Sequence, residues 1–99
     1  MMITHVVLAK LKDQSAQNLE SLESLLRSMN GMIPGMRHLE VGRNVGRSDR
    51  AYDIALIAKF DDIDGLNAYQ THPVHVPVSN RLRELANNIV VVDFKSDLL

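Results

Sequence analysis

The sequence predicts an α+β domain in which helices cover one face of a four-stranded antiparallel sheet. Three observations lead to this prediction. Four short segments are rich in β-branched and aliphatic residues, and the stretches between them repeat apolar residues at helical spacing. The chain has 99 residues, of which 45% are hydrophobic, so it can bury one core. We therefore expect a single domain over residues 1–99.

The first strand and the first helix are predicted at residues 3–11 and from Ser15 onward. The strand is aliphatic and β-branched, and it carries apolar side chains on both faces. Ser15 is a suitable N-cap, because its hydroxyl oxygen can accept a hydrogen bond from the first helical turn. Apolar residues then recur every three or four positions, at Leu19, Leu22, Leu26 and Met29. Asn30 and Gly31 are expected to end this helix.

A pair of strands is predicted to follow the turn at residues 34–35. The strands are residues 36–45 and 52–60, and a polar connection joins them. Asp53 lies among apolar residues and needs a partner such as Arg43 or a backbone N–H, because an unpaired buried carboxylate is costly. Three methionines are interpreted as core residues that fill gaps: Met29, Met32 and Met36.

Two further helices and a last strand complete the chain. Asp61 or Asp62 can cap a helix that stops at His72-Pro73, because proline disfavours the helical conformation in the preceding residue. Its inward residues are expected to be Ile63, Leu66 and Tyr69. A third helix begins near residue 74, stops near Asn87-Asn88 and carries Val78, Leu82, Leu85 and Ile89 at helical spacing. Residues 89–94 are predicted to be a buried strand, with residues 95–99 as a tail.

The predicted order, β-α-β-β-α-α-β, is that of a ferredoxin-like fold whose second crossover is split by Pro73. Right-handed crossovers place all helices on the same face of the sheet. The strands carry apolar side chains on both faces of the sheet. The helices can cover the face that includes Val7 or the face that includes Val6, but not both faces. A large uncovered apolar face usually marks an interface. We therefore predict a homodimer that packs sheet against sheet and encloses a cavity between the sheets.

Composition makes several other classes of protein improbable. The formal net charge is −1 with mixed signs along the chain, so nothing favours binding to nucleic acid or to an anionic membrane. The sequence has no cysteine, which excludes disulfides and thiolate metal sites. Neither a secretory signal nor an apolar run long enough to span a membrane is recognisable. These features predict a cytoplasmic protein.

Several segments together resemble the stress-responsive A/B barrel (Dabb) family of dimeric α/β barrels. The segment from Ala68 to His75 is similar to its A-Y-x-x-H-P-x-H signature. The resemblance extends over nearly the whole chain, through His5-Val6-Val7-Leu8, Ile33-Pro34-Gly35-Met36, Glu40-Val41-Gly42-Arg43-Asn44, Tyr52-Asp53 and Val92-Asp93-Phe94. It implies the ferredoxin-like fold and the homodimer.

The resemblance also implies candidate catalytic residues. The plant polyketide cyclase of this family that makes olivetolic acid has a tyrosine and a histidine in the same frame, at the positions of Tyr69 and His75. By this analogy, His75 removes a proton from a carbon flanked by carbonyls while Tyr69 stabilises the oxyanion. We expect a small, largely apolar ligand in the cavity between the sheets. Its predicted contacts are His5, Val7, Ile54, Leu56 and His72.

Other readings of these residues remain open at the level of sequence. The histidines can instead stabilise the bend, and Tyr69 can be a core aromatic, which would make the protein a non-enzymatic stress-response dimer. A cofactor-independent monooxygenase is a further alternative. His72 and His75 lack a third neighbouring ligand, so no metal site is predicted, and no cofactor is expected.

Overall fold

The computed structural model describes residues 2–97 of the chain. Its elements follow the predicted order and form the ferredoxin-like fold. They are β1 (Met2–Leu11), α1 (Ala16–Arg27), β2 (Met36–Arg43), β3 (Ile54–Phe60), α2 (Ile63–Gln70), α3 (His75–Leu85) and β4 (Ala86–Ser96). Within this range, none of the helices is long and apolar enough to cross a lipid bilayer.

The strands form one antiparallel sheet in the order β2-β3-β1-β4. The central strand β1 pairs with β3 on one side and with β4 on the other. His5 lies opposite Ala58 and Asp93, so these three residues share one face of the sheet. This register brings the end of the chain next to its beginning.

All three helices cover the face of the sheet that carries Val7 and Ala9. On β3 this face presents alternate residues to the core, namely Ile54, Leu56, Ala58 and Phe60, each less than 5% exposed. Leu22 and Leu26 of α1 pack against this face, together with Leu66 of α2 and Val78 of α3. The opposite face, with Val6 and its neighbours, is not covered by any other element of residues 2–97, and we call it the open face.

Helix caps confirm two predictions from the sequence. The Ser15 hydroxyl oxygen accepts a hydrogen bond from the Asn18 backbone N–H at 3.2 Å. At the start of α2 the cap is Asp62, whose carboxylate accepts from the Gly65 N–H at 2.9 Å. Before β2 the chain turns at Gly35, which has a φ of +83° that favours glycine.

The strands of the predicted pair are shorter than expected. The second strand ends at Arg43 rather than at residue 45, and the third begins at Ile54 rather than at residue 52. Just before β3, the Asp53 carboxylate accepts hydrogen bonds from the Leu11 N–H at 2.8 Å and from the Gln14 side chain at 3.2 Å. A backbone donor is thus the partner of Asp53, and Arg43 instead pairs with Glu23.

The last helix and strand also have different bounds from those predicted. Helix α3 stops at Leu85, and β4 begins at once, because Ala86 and Asn88 already pair with β1. Ile89 therefore belongs to the strand and not to the helix. The predicted tail is wrong for residues 95–96, which lie in β4, while Leu98 and Leu99 fall outside the described residues.

The prediction of a buried last strand is wrong for the single chain. Strand β4 lies at the edge of the sheet, with Val92 54% and Phe94 47% exposed on the open face. Two predicted core residues are also exposed, Ile63 at 53% and Met32 at 57%. Ile63 is the first residue of α2 and Met32 lies in the turn after α1, and within residues 2–97 neither belongs to the packed core.

Candidate functional site

A pocket of about 150 Å³ lies between the helices and the covered face of the sheet. It brings together six of the residues predicted from the sequence: His5, Val7, Ile54, Leu56, Tyr69 and His75. The predicted position of these residues, between the sheets of two protomers, is therefore wrong. Their side chains project from the helix-covered face, whereas a second sheet could reach only the open face.

Tyr69 is the centre of this pocket. It occupies the last turn of α2 and is only 2% exposed. Its ring packs against Phe60, with 5.0 Å between centroids, and lies edge-on to His5 at 5.6 Å. The ring of His75 is closer still, with 4.0 Å between centroids. The phenol is thus held between two imidazoles.

The bend at Pro73 places His75 beside Tyr69. The His72 Nδ1 atom accepts a hydrogen bond from the Val74 N–H at 3.0 Å, and the His72 carbonyl accepts from the His75 N–H at 2.9 Å. His72 therefore shapes the turn that starts α3. It does not line the pocket, so its predicted ligand contact has no support in this geometry.

His5 is held by a residue that the sequence did not single out as a site residue. Its Nδ1–H donates to the Asp93 carboxylate at 2.5 Å, across the pairing of β1 with β4. The imidazole is 4% exposed, and this carboxylate satisfies its buried donor. Only the strand register could have shown that Asp93 faces His5.

Burial determines the protonation of both catalytic candidates. It raises the pKa of the Tyr69 phenol to about 12, so this group stays protonated near neutral pH. The pKa of His75 is lowered, chiefly by burial. A hydrogen bond to the Gln70 carbonyl raises this pKa, and the charges of His5, Arg83 and His72 each lower it by a smaller amount. His75 is therefore mostly neutral at pH 7.

The hydrogen bonds leave the reactive atoms available. The His75 Nδ1–H donates to the Gln70 carbonyl at 3.3 Å, so in the neutral ring Nε2 carries the free lone pair. Within residues 2–97 the Tyr69 hydroxyl has no hydrogen-bond partner, and no buried side-chain polar atom is unsatisfied, so this hydroxyl is open to the pocket. A base and a hydrogen-bond donor thus meet in one apolar cavity.

The remaining wall is mostly apolar, with polar side chains on α3 and at the end of α2. Four of its apolar residues, Leu26, Met29, Leu82 and Ile89, had been interpreted only as core. Gln70, Ser79 and Arg83 were missed. The signal was present, because His75, Ser79 and Arg83 are four residues apart and therefore lie on one face of a helix.

In the part of the chain that the structure describes, no three His, Cys, Asp or Glu side chains are arranged to hold a metal ion. The described residues that line the pocket supply two imidazoles, a phenol and a guanidinium, and they include no carboxylate that could complete a metal site. What the arrangement can do is accept a proton at one side of a bound molecule and donate a hydrogen bond from another.

Comparisons with known proteins agree with the fold and with the family resemblance of the sequence. Residues 3–96 match the family described as the stress responsive A/B barrel domain. An uncharacterised protein of Streptomyces coelicolor is 33% identical over 93 residues, which is 90% of this chain and 95% of that protein.

Solved structures share the same fold. A dimeric ferredoxin-like protein of unknown function from Thermobifida fusca has a TM-score of 0.86 and 28% identity, covering 95% of this chain and 90% of its own. A hydroxynitrile lyase from Passiflora edulis has a TM-score of 0.82, covering 99% and 96% of the two chains. Its identity is 17%, so this likeness concerns the fold alone.

Proposed function

This chain belongs to the stress-responsive A/B barrel domain family, and we propose that its pocket binds a small, largely apolar carbonyl compound and catalyses proton transfer next to the carbonyl group. The single observation that carries this proposal is the position of Tyr69 between His5 and His75, with its hydroxyl open to the cavity. Such a step is common to cyclase and lyase reactions.

The roles follow from protonation and geometry. His75 Nε2 takes a proton from the carbon beside the carbonyl group, the electron pair of that C–H bond forms a C=C bond, and the π electrons of the carbonyl group move onto its oxygen. The Tyr69 hydroxyl donates a hydrogen bond to this oxygen, and its raised pKa keeps it a donor rather than an anion. The imidazolium of His75 then returns the proton to carbon or to a leaving group. Both groups belong to the chain, so this step uses no cofactor.

His5 is proposed to position the ligand. Its Nδ1–H is engaged by Asp93, which directs Nε2 away from the carboxylate. The ring lines the pocket beside Tyr69, and among the described residues Arg83 is the only Lys, Arg, Asp or Glu that also lines it. Val7, Ile54 and Leu56 supply an apolar floor from the sheet. They exclude water, which strengthens the hydrogen bond that Tyr69 donates.

We also propose that two copies associate through their open faces. Val90, Val92 and Phe94 are each more than 40% exposed there, and Val6, Leu8 and Ile57 continue the apolar surface across β1 and β3. Apolar surface of this extent is uncommon on a monomer. The dimeric relative from Thermobifida fusca supports this assembly. The absence of cysteine from the sequence supports the proposal that the protein is cytoplasmic.

A non-enzymatic stress-response dimer is the second candidate. The packing of Tyr69 against Phe60 favours it, since such a buried ring also stabilises the core. In that case the pocket would have no turnover, and His75 would serve only the start of α3.

Deuterium incorporation into phenylacetone tests the proposed chemistry. The benzylic protons lie beside a ketone, and their exchange with D₂O is followed by proton NMR. The wild-type protein should accelerate exchange, and the exchange rate with His75→Gln should be lower than with the wild type by at least about 100-fold. His38→Gln is the control, because His38 is an exposed histidine outside the pocket. Exchange no faster than in buffer for phenylacetone and for cyclohexanone would contradict the proposal and favour the non-enzymatic role.

A further inference from the structure

Arg83 gives the pocket a charge that proton transfer does not require. It lies in the last turn of α3, and its side chain lines the pocket on the same helix face as Ser79 and His75. Successive members of this row are about 6 Å apart along the helix axis. Helical side chains lean towards the N-terminus of their helix, so the long side chain of Arg83 can reach back along this row towards Ser79 and His75.

The charge of Arg83 is not compensated within residues 2–97. Four other arginines form ion pairs: Arg81 with Glu84, Arg37 with Asp61, and both Arg27 and Arg43 with Glu23. Arg47 and Arg50 form no ion pair with the described residues, but they lie outside the pocket. Arg83 has neither an ion pair nor a hydrogen bond with the described residues. Among the described residues, no Asp or Glu lines the pocket, and the carboxylate of Asp93 is already held by His5.

The size of the pocket limits the apolar part of a ligand. Its volume of about 150 Å³ equals that of an engineered protein cavity known to bind benzene. A body of about six carbon atoms, such as one ring or a short branched chain, therefore fills it. The apolar wall suits that body, whereas the polar side chains of Ser79 and Arg83 suit one charged group.

We infer that the natural ligand is a small organic carboxylate, with its apolar body in the cavity and its carboxylate bound by Arg83. A single guanidinium matches a monoanion, since its paired N–H groups fit the two oxygens of one carboxylate. This inference rests on the proposed function for the site that it extends, and it adds the chemical class of the substrate: a carbonyl compound that carries a carboxylate.

Binding of phenylacetate and of its neutral counterpart phenylacetamide tests the inference. The two probes have the same ring and differ in charge, and their dissociation constants are measured by NMR titration of the full chain. The wild-type protein should bind phenylacetate at least about tenfold more tightly. Arg83→Gln should abolish this preference. Arg81→Gln should retain it, because Arg81 lies on the same helix but outside the pocket, paired with Glu84.

Several results would overturn the inference. Equal affinity for the two probes would do so, as would equal losses in Arg83→Gln and Arg81→Gln. The absence of binding by phenylacetate and by 4-methylpentanoate at about 10 mM would also reject it. Tighter binding of phenyl phosphate than of phenylacetate would assign Arg83 to a phosphate instead.

The charge preference and the proton transfer can fail separately. If the preference depends on Arg83 but phenylacetone shows no exchange, the anion site is correct and the proposed chemistry is wrong. If phenylacetone exchanges but phenylacetate has no advantage over phenylacetamide, the chemistry is correct and the assigned ligand class is wrong.

Discussion

Tyr69 combines two properties that rarely coincide in one side chain. Its ring is almost fully buried against Phe60, His5 and His75, yet its hydroxyl opens into the pocket without a partner in residues 2–97. A core tyrosine normally satisfies its hydroxyl within the protein. The open hydroxyl is therefore consistent with the proposal that Tyr69 donates a hydrogen bond to a ligand.

Removing this hydroxyl should separate function from stability. Tyr69→Phe should reduce the exchange of phenylacetone by about 100- to 1000-fold, since the oxyanion loses its donor. The free energy of unfolding should change by less than about 1 kcal/mol, because no protein hydrogen bond is broken. Exchange kinetics and urea denaturation measure the two quantities. An unchanged exchange rate would mean that the phenol takes no part in the reaction.

His75 should act as a base over a wider range of pH than an ordinary histidine. Burial lowers its pKa from the usual value of 6.5, so the neutral ring persists to lower pH. The exchange rate should therefore fall to half of its maximum below pH 6.5, and the His75 ring protons should titrate with the same midpoint in NMR. A midpoint at or above 6.5 would show that the ring is solvated or held by an anion.

At the scale of elements, α2 has a capping residue, Asp62, at its start and a residue of the candidate site, Tyr69, in its last turn. The Asp62 carboxylate fixes the first turn through the Gly65 N–H, and Tyr69 occupies the last turn of the same short helix. Because a helix of 8 residues is marginal by itself, its N-cap contributes to holding Tyr69 in place.

Asp62→Ala should lower the free energy of unfolding by about 1 kcal/mol, since the Gly65 N–H loses its acceptor. Asp64→Ala is the matched control: it removes the same charge from the first turn without removing a cap and should cost less than half as much. Chemical denaturation of both variants measures the difference. Equal costs would show that charge near the helix terminus, and not the capping hydrogen bond, stabilises α2.

The elements themselves could be predicted from the sequence, and their ends less well. Apolar spacing identified all the helices, but Ile89 fits both the spacing of α3 and the composition of β4. Its assignment depends on pairing with Ala9 of β1, a contact between distant parts of the chain. The row of His75, Ser79 and Arg83 was visible as helical spacing, yet nothing local showed that it faces a cavity.

At the scale of the whole molecule, the sheet separates two apolar surfaces. The helices cover the face with the pocket, and the open face carries Val6, Ile57, Val92 and Phe94. The sequence predicted that one apolar face would remain uncovered. It could not show which one, because both faces of β1 are apolar and only packing over long distances decides between them. Six of the seven candidate residues meet in one pocket and His72 lies outside it, and this pocket is on the helix-covered side of the sheet rather than between two sheets.

A charge on the open face should prevent dimer formation. The chain has a mass of 11.1 kDa, and light scattering should give about twice this value for the wild-type protein. Val92→Lys should give the monomer, because the charge would have to be buried between the sheets. Ile63→Lys should remain dimeric, since Ile63 is similarly exposed but lies on α2. Monomeric wild-type protein would reject the assembly.

The location of a bound ligand tests the account most directly. Amide chemical shifts recorded during a titration with phenylacetone should change around the pocket, at Val7, Tyr69, His75 and Ile89, while Ile57 and Val92 on the open face remain unaffected. Changes confined to the open face, with none at Tyr69 or His75, would contradict a binding pocket between the helices and the sheet.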